Sequence, residues 1–167
     1  MIEGEVTLRF ARPDDAPLVH ALIVELAVYE REPNAVESTP ATLRAQLEAS
    51  PPVFECVLAH VGSEAAGLAL FFHNFSTWRG RRGLYLEDLF VRPAWRRRGI
   101  GRLLFGELAR LAEERGCARM EWAVLHWNLP AIEFYQSLGA KPLDDWTTFR
   151  LSDAALTRLA ARRAAQR

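Results

Sequence analysis

The sequence predicts an α/β domain in which helices flank a β-sheet. Stretches with alternating apolar side chains, typical of strands, are interspersed with segments whose apolar residues recur every three to four positions, typical of helices. The chain has 167 residues, enough for one hydrophobic core. No repeat, low-complexity tract or linker divides it, so we expect a single domain over residues 1–167.

The first half of the chain is predicted to contain three strands and two helices. Asp14 is the expected cap of the first helix, and Thr39-Pro40 supplies a cap and a first helical position for the second. The short turn at Gly62-Ser63 separates two strands. The predicted elements are a strand at 6–12, helices at 14–30 and 40–49, strands at 54–61 and 65–74, and a loop at 75–82.

The second half is predicted to alternate strands and helices. Pro93, which has no backbone donor, ends one strand, and Gly116 and Gly139 end helices. Leu104, Leu108, Leu111 and Ala112 form the apolar stripe of the helix after Gly101. The predicted elements are strands at 83–91 and 119–125, helices at 101–115 and 128–138, a final pair of strands at 141–143 and 147–151, and a helix from Ser152.

The junction between the strand at 83–91 and the following helix has the composition of an anion site. It reads RRRGIG from Arg96 to Gly101. The first N–H groups of a helix have no internal partner, and the helix dipole adds partial positive charge there. Gly99 and Gly101 let an anion approach the backbone, and arginine suits phosphate. We therefore predict a pyrophosphate cradle, with a solvated basic turn as the alternative.

Two other phosphate-binding loops do not match this segment. A Walker loop requires Lys-Ser/Thr after its glycines, and no such pair follows Gly101. The dinucleotide fingerprint requires G-x-G-x-x-G, whereas only G-x-G precedes Arg102.

The arginine-glycine segment resembles the Arg/Gln-x-x-Gly-x-Gly/Ala motif of the GCN5-related N-acetyltransferases, met here by Arg96, Gly99 and Gly101. More narrowly, the chain resembles the diamine (spermidine/spermine) acetyltransferase branch. The resemblance extends over nearly the whole chain. The matching segments are ELAVYE at 25–30, TWRGRRGLYLEDLFV at 77–91, RRRGIG at 96–101, WNLPAIEFYQSLGA at 127–140 and DDWTTFRL at 144–151.

The resemblance implies a fold and a cofactor. The fold is a mixed, mostly antiparallel central sheet with flanking helices, which splays open between the fourth and fifth strands to admit acetyl-coenzyme A. Backbone groups of Leu89 and Val91 are expected to pair with the pantetheine arm, and the arginine-glycine segment with the pyrophosphate. The full set of implied cofactor-binding residues is Leu89, Val91, Arg96, Arg97, Arg98, Gly99, Ile100, Gly101, Asn128 and Tyr135.

Acetyl transfer requires a neutral acceptor nitrogen, although a primary amine with a pKa of about 10 is protonated at neutral pH. No serine or cysteine lies in a recognisable nucleophile motif, so we expect direct attack by the amine. The resemblance implies that Tyr135, in the N-x-P-A-I-x-F-Y pattern that starts at Asn128, is the general acid, and that Glu87 relays the proton of the amine. The structural alternatives are a core aromatic beside Phe134 and an exposed strand position for Glu87.

Strand alternation makes a prediction about the neighbouring carboxylates Glu87 and Asp88. Even-numbered residues from Leu84 to Phe90 should share one face of the sheet, and odd-numbered residues the other. The two carboxylates should therefore not form one dyad, and Asp88 is expected to have a structural partner.

The acceptor side is predicted from the end of the first helix. Tyr29 and Glu30 resemble family residues that line the acceptor site, with an ordinary amphipathic helix end as the alternative. Trp78 and Trp146, together with Trp127, are candidates for the walls of a cleft that attracts ammonium groups, with buried packing as the alternative for each.

The acceptor itself stays open between polyamines, diamines and thialysine-like amino acids. The chain has Arg97 where relatives of the branch carry glycine, and its loop at 30–38 also differs from them. A net charge of zero does not favour a strongly acidic polyamine cleft. The competing hypotheses are a protein N-acetyltransferase and a non-catalytic acyl-coenzyme A sensor.

Composition narrows the remaining classes of partner, metal content and location. The 21 basic and 21 acidic side chains cancel, so we expect neither nucleic acid nor membrane as a partner. Cys56 and Cys117 make no disulfide framework, and the four histidines have no metal-ligand spacing, so no metal is expected. The N-terminal MIEGEV lacks the features of a signal peptide, so a cytoplasmic location is expected. A homodimer is expected from the resemblance.

Overall fold

The computed structural model describes the backbone of residues 5–164, which form two compact units. The first runs to Ala123 and the second begins at Val124. Residues 1–4, part of the segment tested for a signal peptide, and residues 165–167, at the end of the expected last helix, lie outside the described residues. None of the described helices is long and apolar enough to cross a membrane.

The first unit contains a five-stranded sheet with three helices. Its elements are β1 (Val6–Phe10), α1 (Ala16–Tyr29), α2 (Pro40–Glu48), β2 (Glu55–Val61), β3 (Glu64–Ser76), β4 (Arg81–Val91), α3 (Ile100–Glu114) and β5 (Met120–Trp122). The strands lie in sequence order, with β1 to β4 antiparallel and β5 parallel to β4. The predicted mixed, mostly antiparallel sheet with flanking helices is confirmed.

The sheet is buried on both faces. α1 covers one face, where Val19, Leu22 and Leu26 pack with Leu68 and Phe90 in a single apolar cluster. α3 contacts β2, β3 and β4 through the predicted stripe, whose members are all buried.

A β-bulge at Glu87 interrupts β4. Leu70 lies opposite Asp88, and the next residue, Phe71, lies opposite Leu86, so Glu87 is the extra residue on β4. Cross-strand neighbours point to the same face, and Leu70 and Phe71 point to opposite faces. The prediction that Leu86 and Asp88 share a face is therefore wrong, because the extra residue shifts the alternation.

The helix starts differ in part from the sequence-based expectation. Thr39 caps α2 as predicted, since its Oγ1 accepts from the Thr42 N–H at 3.2 Å. Asp14 does not cap α1, because a 3₁₀ turn at Pro13–Asp15 precedes that helix. The Asp15 carboxylate accepts from the Arg12 N–H at 2.7 Å instead.

The second unit contains α4 (Leu129–Ser137) and α5 (Asp153–Ala164). Gly139, with φ of 89°, ends α4 as predicted. The strands predicted at 141–143 and 147–151 are wrong, because residues 140–152 form no regular structure. Every side chain from 141 to 150 is exposed, and a strand without a paired neighbour leaves its backbone groups unsatisfied.

Candidate active site

The outer edge of β4 is open along its second half. β5 pairs with β4 only from Leu84 to Leu86, whereas β4 continues to Val91. Residues 87–91 therefore have no described strand beside them on that side. The pairing ends at the bulge, and β5 stops at Trp122 although the sequence predicted it to residue 125. The predicted opening between the fourth and fifth strands is confirmed.

Backbone hydrogen bonds show which residues of β4 face this edge. Before the bulge, the Leu84 N–H donates to the Arg119 carbonyl at 3.0 Å, so even-numbered residues face β5. After the bulge, the Arg92 N–H donates to the Ala66 carbonyl at 2.9 Å, so even-numbered residues face β3. Backbone groups alternate along a strand, and Leu89 and Val91 therefore present their N–H and C=O groups to the open edge.

The glycine loop leads from this edge into α3. Gly99 immediately precedes the helix with φ of 81°, a left-handed conformation that favours glycine, and no atom lies within 4 Å of where its Cβ would be. The first helix carbonyl acceptor is that of Gly99, which bonds the Leu103 N–H at 3.0 Å. The N–H groups at the start of α3 thus have no helix carbonyl to bond, as an anion site requires. The residues present fit a pyrophosphate.

The three arginines of the loop have different surroundings. Arg97 is exposed and adopts φ of 61°, and the guanidinium of Arg98 stacks on the Trp95 ring at 4.8 Å from its centroid. Arg96 turns back towards the sheet and donates from Nε to the Val91 carbonyl at 2.8 Å. Its guanidinium carbon lies 4.3 Å from the centroid of the Tyr29 ring. Only Arg97 and Arg98 thus extend from the loop without a described contact to the sheet or α1.

Three carboxylates lie close enough to interact near the open edge. Burial, followed by the charges of Glu87 and Glu30, raises the pKa of Asp88 to about 6. Burial also raises the pKa of Glu30, which directly follows α1. Glu87 itself is exposed on the bulge. The bulge removes the alternation on which the prediction about Glu87 and Asp88 depended, and the charge of Glu87 contributes to the raised pKa of Asp88.

Asp88 is the residue whose importance the sequence reasoning missed. It was expected to have a structural partner, yet no hydrogen-bond or ion-pair partner of its side chain is found among residues 5–162. Asp88 is half-buried, and a carboxylate withdrawn from water without a partner favours its neutral form, in agreement with its raised pKa. The sequence did contain a signal for this, since Asp88 is a charged residue between the apolar strand residues Leu86 and Phe90.

The aromatic candidates for the acceptor site belong to both units and differ in exposure. Tyr29 is half-buried at the last position of α1, under Arg96. Trp78 lies in the turn between β3 and β4 and is 89% exposed, and Trp146 of the second unit is 70% exposed, so neither is packed in a core. Trp127 is 38% exposed.

In the second unit, the expected general acid lies on α4. Asn128 is buried and directly precedes this helix, and its backbone carbonyl accepts from the Ala131 and Ile132 N–H groups, each at 3.1 Å. Tyr135 is half-buried, with its ring centroid 5.5 Å from that of Phe134. The seven-residue spacing puts Asn128 and Tyr135 two turns apart on one side of α4.

A family comparison decides the class of the protein. Residues 20–140 match the model of the acetyltransferase (GNAT) family. The chain belongs to this family. The matched range includes β4, the glycine loop, β5 and α4. Members of the family use acetyl-coenzyme A. The predicted family and N-acetyltransferase activity are confirmed.

Individual relatives agree with this assignment. The chain is 39% identical over 151 residues to thialysine N-ε-acetyltransferase of Caenorhabditis elegans, covering 89% of this chain and 92% of the relative. It is 30% identical over 195 residues to L-ornithine N5-acetyltransferase of Arabidopsis thaliana, covering 89% and 85%. An integron cassette protein from Vibrio cholerae has the same fold, with a TM-score of 0.78, 24% identity and coverage of 93% and 97%. The thialysine relative supports the predicted diamine branch.

Proposed function

We propose that this acetyltransferase transfers the acetyl group of acetyl-coenzyme A to the terminal primary amine of a small diamino compound, by direct attack of the amine. The observation that carries the proposal is the similarity, over most of both chains, to enzymes named for thialysine and ornithine. Both compounds carry two amino groups and one carboxylate. A diamino acid agrees with a chain of zero net charge better than a long polyamine does.

The donor is proposed to bind along the open edge of β4. The outward N–H groups of Leu89 and Val91 and the Leu89 carbonyl suit an amide-containing arm such as pantetheine, because they offer both donors and acceptors, whereas the Val91 carbonyl already accepts from Arg96 Nε. The pyrophosphate is assigned to the N-terminus of α3, with the backbone from Arg97 to Gly101 and the side chains of Arg97 and Arg98. Asn128 and Tyr135 are also proposed as donor-binding residues, on the strength of the motif that contains them.

The acceptor amine is proposed to bind beside the carboxylates Glu30, Glu87 and Asp88. An ammonium group is attracted to this negative charge, and the attraction is strong where water is scarce. Glu87, exposed on the bulge, accepts the proton of the incoming ammonium, directly or through one water, and leaves a neutral nitrogen that can attack. Tyr29 supplies an aromatic face near the same helix end.

Acetyl-coenzyme A supplies the activated acetyl group as a thioester. As the amine nitrogen forms its bond to the acetyl carbon, the carbon–sulfur bond breaks and the sulfur leaves with the electron pair. Tyr135 is proposed to give its phenolic proton to this sulfur, since a phenol keeps its proton at neutral pH. The proton that Glu87 removes from the ammonium returns to solvent, and the second proton, which the nitrogen loses as the amide forms, restores the Tyr135 phenol.

The test is thiol release from acetyl-coenzyme A with putrescine, spermidine, spermine, thialysine, ornithine, lysine and a short peptide. We expect the highest kcat/KM with thialysine or ornithine. Tyr135→Phe should lower kcat by roughly 100-fold or more, as expected for loss of a general acid. Tyr85→Phe, which removes another half-buried phenol, is the matched control and should keep its kcat. Turnover of the peptide alone would refute the small-molecule assignment.

We also propose that the enzyme is a homodimer. Support comes from the second unit, where Leu143, Trp146 and Phe149 are 61%, 70% and 91% exposed although their pattern predicted strands. Exposed apolar side chains in one segment are typical of a surface that a partner covers. Light scattering should give twice the mass of 18.9 kDa, and Trp146→Ser with Phe149→Ser should give the monomer mass.

A further inference from the structure

Arg96 connects three parts of the first unit. Its Nε donates to the Val91 carbonyl at the open edge, and its guanidinium lies over the Tyr29 ring at the end of α1. The same guanidinium carbon is 5.7 Å from the centroid of the buried Phe90 ring. No carboxylate within residues 5–162 forms an ion pair with it. Its charge is therefore directed at two aromatic rings and one carbonyl.

The backbone that carries Arg96 is held firmly. Arg92, four residues earlier, forms an ion pair with Glu25 of α1, with Nη2 2.6 Å from Oε1 and Nε 2.8 Å from Oε2. Its Nη1 donates to the Ala65 carbonyl at 2.8 Å. A 3₁₀ turn at Pro93–Trp95 follows, and the Arg96 N–H donates to the Pro93 carbonyl at 3.3 Å. These contacts hold the backbone at Arg96 in place, so the side chain reaches Tyr29 from a fixed position.

We infer that Arg96 is a positioning residue for the acceptor amine rather than a ligand of the pyrophosphate. The inference rests on the proposed function, because it takes the Val91 edge as the donor site and the Tyr29–Glu30 end of α1 as part of the acceptor site. By contacting both, Arg96 sets the distance between them. This reassigns Arg96 from the cofactor-binding set that its motif implied, while Arg97 and Arg98 remain in that set.

The two roles make opposite predictions for steady-state kinetics. If Arg96 positions Tyr29, Arg96→Gln should raise the KM of the amine by about 5- to 30-fold and leave the Kd of coenzyme A within about twofold of wild type. Arg97→Gln is the matched control with the same loss of charge in the same loop. It should weaken coenzyme A binding by roughly 3- to 10-fold and leave the KM of the amine unchanged.

The experiment measures the Kd of coenzyme A by calorimetry and the KM of the best amine of the panel above. It compares wild type, Arg96→Gln, Arg97→Gln, Tyr29→Leu and the Arg96→Gln/Tyr29→Leu double variant. Tyr29→Leu should have the same effect as Arg96→Gln, a raised KM of the amine with an unchanged Kd of coenzyme A. The double variant should be no worse than the poorer single variant, because both changes remove one contact. If Arg96→Gln does not fold, Tyr29→Leu provides the same test.

Each outcome decides the matter. A weaker coenzyme A affinity with an unchanged amine KM in Arg96→Gln would make Arg96 a phosphate ligand and overturn the inference while the proposed function stands. Multiplicative effects in the double variant would show that Arg96 does not act through Tyr29. A wild-type chain that fails to bind coenzyme A would overturn the proposed function, and the inference with it.

Discussion

Gly67 of β3 lies too close to the backbone of β4 to accept a side chain, and its replacement by alanine is a direct test of the β3–β4 pairing. A Cβ at Gly67 would lie 2.3 Å from the Phe90 carbonyl oxygen and 3.1 Å from the Val91 Cα. Both are backbone atoms of β4, so no side-chain rotation relieves the overlap. The two strands would have to separate instead.

The cost follows from the size of that separation. Moving the Cβ out to 3.0 Å, the shortest distance that real Cβ atoms show, requires a shift of 0.7 Å. Ladder hydrogen bonds of about 2.9 Å would then stretch to about 3.6 Å, beyond the usual range. Losing one or two of them at about 1 kcal/mol each, with about 1 to 2 kcal/mol of strain, lowers the free energy of unfolding by about 2 to 4 kcal/mol.

Urea unfolding of Gly67→Ala measures this change, with Gly106→Ala as the control. Gly106 lies in α3 with an ordinary helical φ, and no atom is within 4 Å of its Cβ position. Alanine there should raise the free energy of unfolding by about 0.5 to 1 kcal/mol. In melting temperature, Gly67→Ala should lose about 5 to 15 °C. A Gly67→Ala variant within about 0.5 kcal/mol of wild type would refute the close approach of β3 and β4 at Gly67.

Three further predictions address the site and its support. The folded-state pKa of Asp88 is about 6 against an ordinary value of 3.8, so wild type should lose stability as the pH rises from about 4 to 6. Over that range the free energy of unfolding of Asp88→Asn should gain up to about 3 kcal/mol relative to wild type. If urea unfolding gave the two proteins the same pH dependence, the burial of this carboxylate would be contradicted. Arg92→Met should lower the free energy of unfolding by about 1 to 2 kcal/mol, because it removes the bidentate ion pair with Glu25. Adding Glu25→Met should cause no further loss, and additive losses in urea unfolding would show that the two side chains do not stabilise the fold together. Gly99→Ala and Gly62→Ala, both at positive φ in open space, should each lower the free energy of unfolding by about 1 kcal/mol. Only Gly99→Ala should weaken coenzyme A binding measured by calorimetry, and equal affinities of the two variants would disprove the site at the start of α3.

Features determined by local periodicity could be predicted from the sequence. The apolar stripe of α3 was identified by its spacing, because a helix packed on one side of a sheet buries every third or fourth residue. The Thr39 cap and the Gly139 stop were identified because each depends on the chemistry of one residue. The glycine loop was located from its composition, because glycine leaves room for an anion beside the backbone and arginine suits phosphate.

Features that depend on pairing between distant segments could not be predicted in this way. Alternation assigned Asp88 to the wrong face because a bulge adds one residue without changing the apolar pattern around it. The apolar residues of 141–151 predicted strands, but a strand forms only where another strand offers backbone groups, and none of the described strands does so there. Likewise, the motif implies that Arg96 binds phosphate, whereas its contacts are with Tyr29 and Val91.

The open edge of β4 depends on two features that must coincide. If β5 continued past Trp122, it would cover the edge whatever the register of β4. If β4 had no bulge, residues at odd positions would keep facing β3, and Phe90 rather than Leu89 and Val91 would offer its backbone groups outward. The bulge lies where the pairing with β5 ends, and it reverses the direction of the backbone groups that follow. It also brings Glu87 and Asp88 to the start of the same edge. A single inserted residue therefore explains why backbone groups suited to an amide-containing donor and carboxylates suited to an amine occur within five residues of one strand.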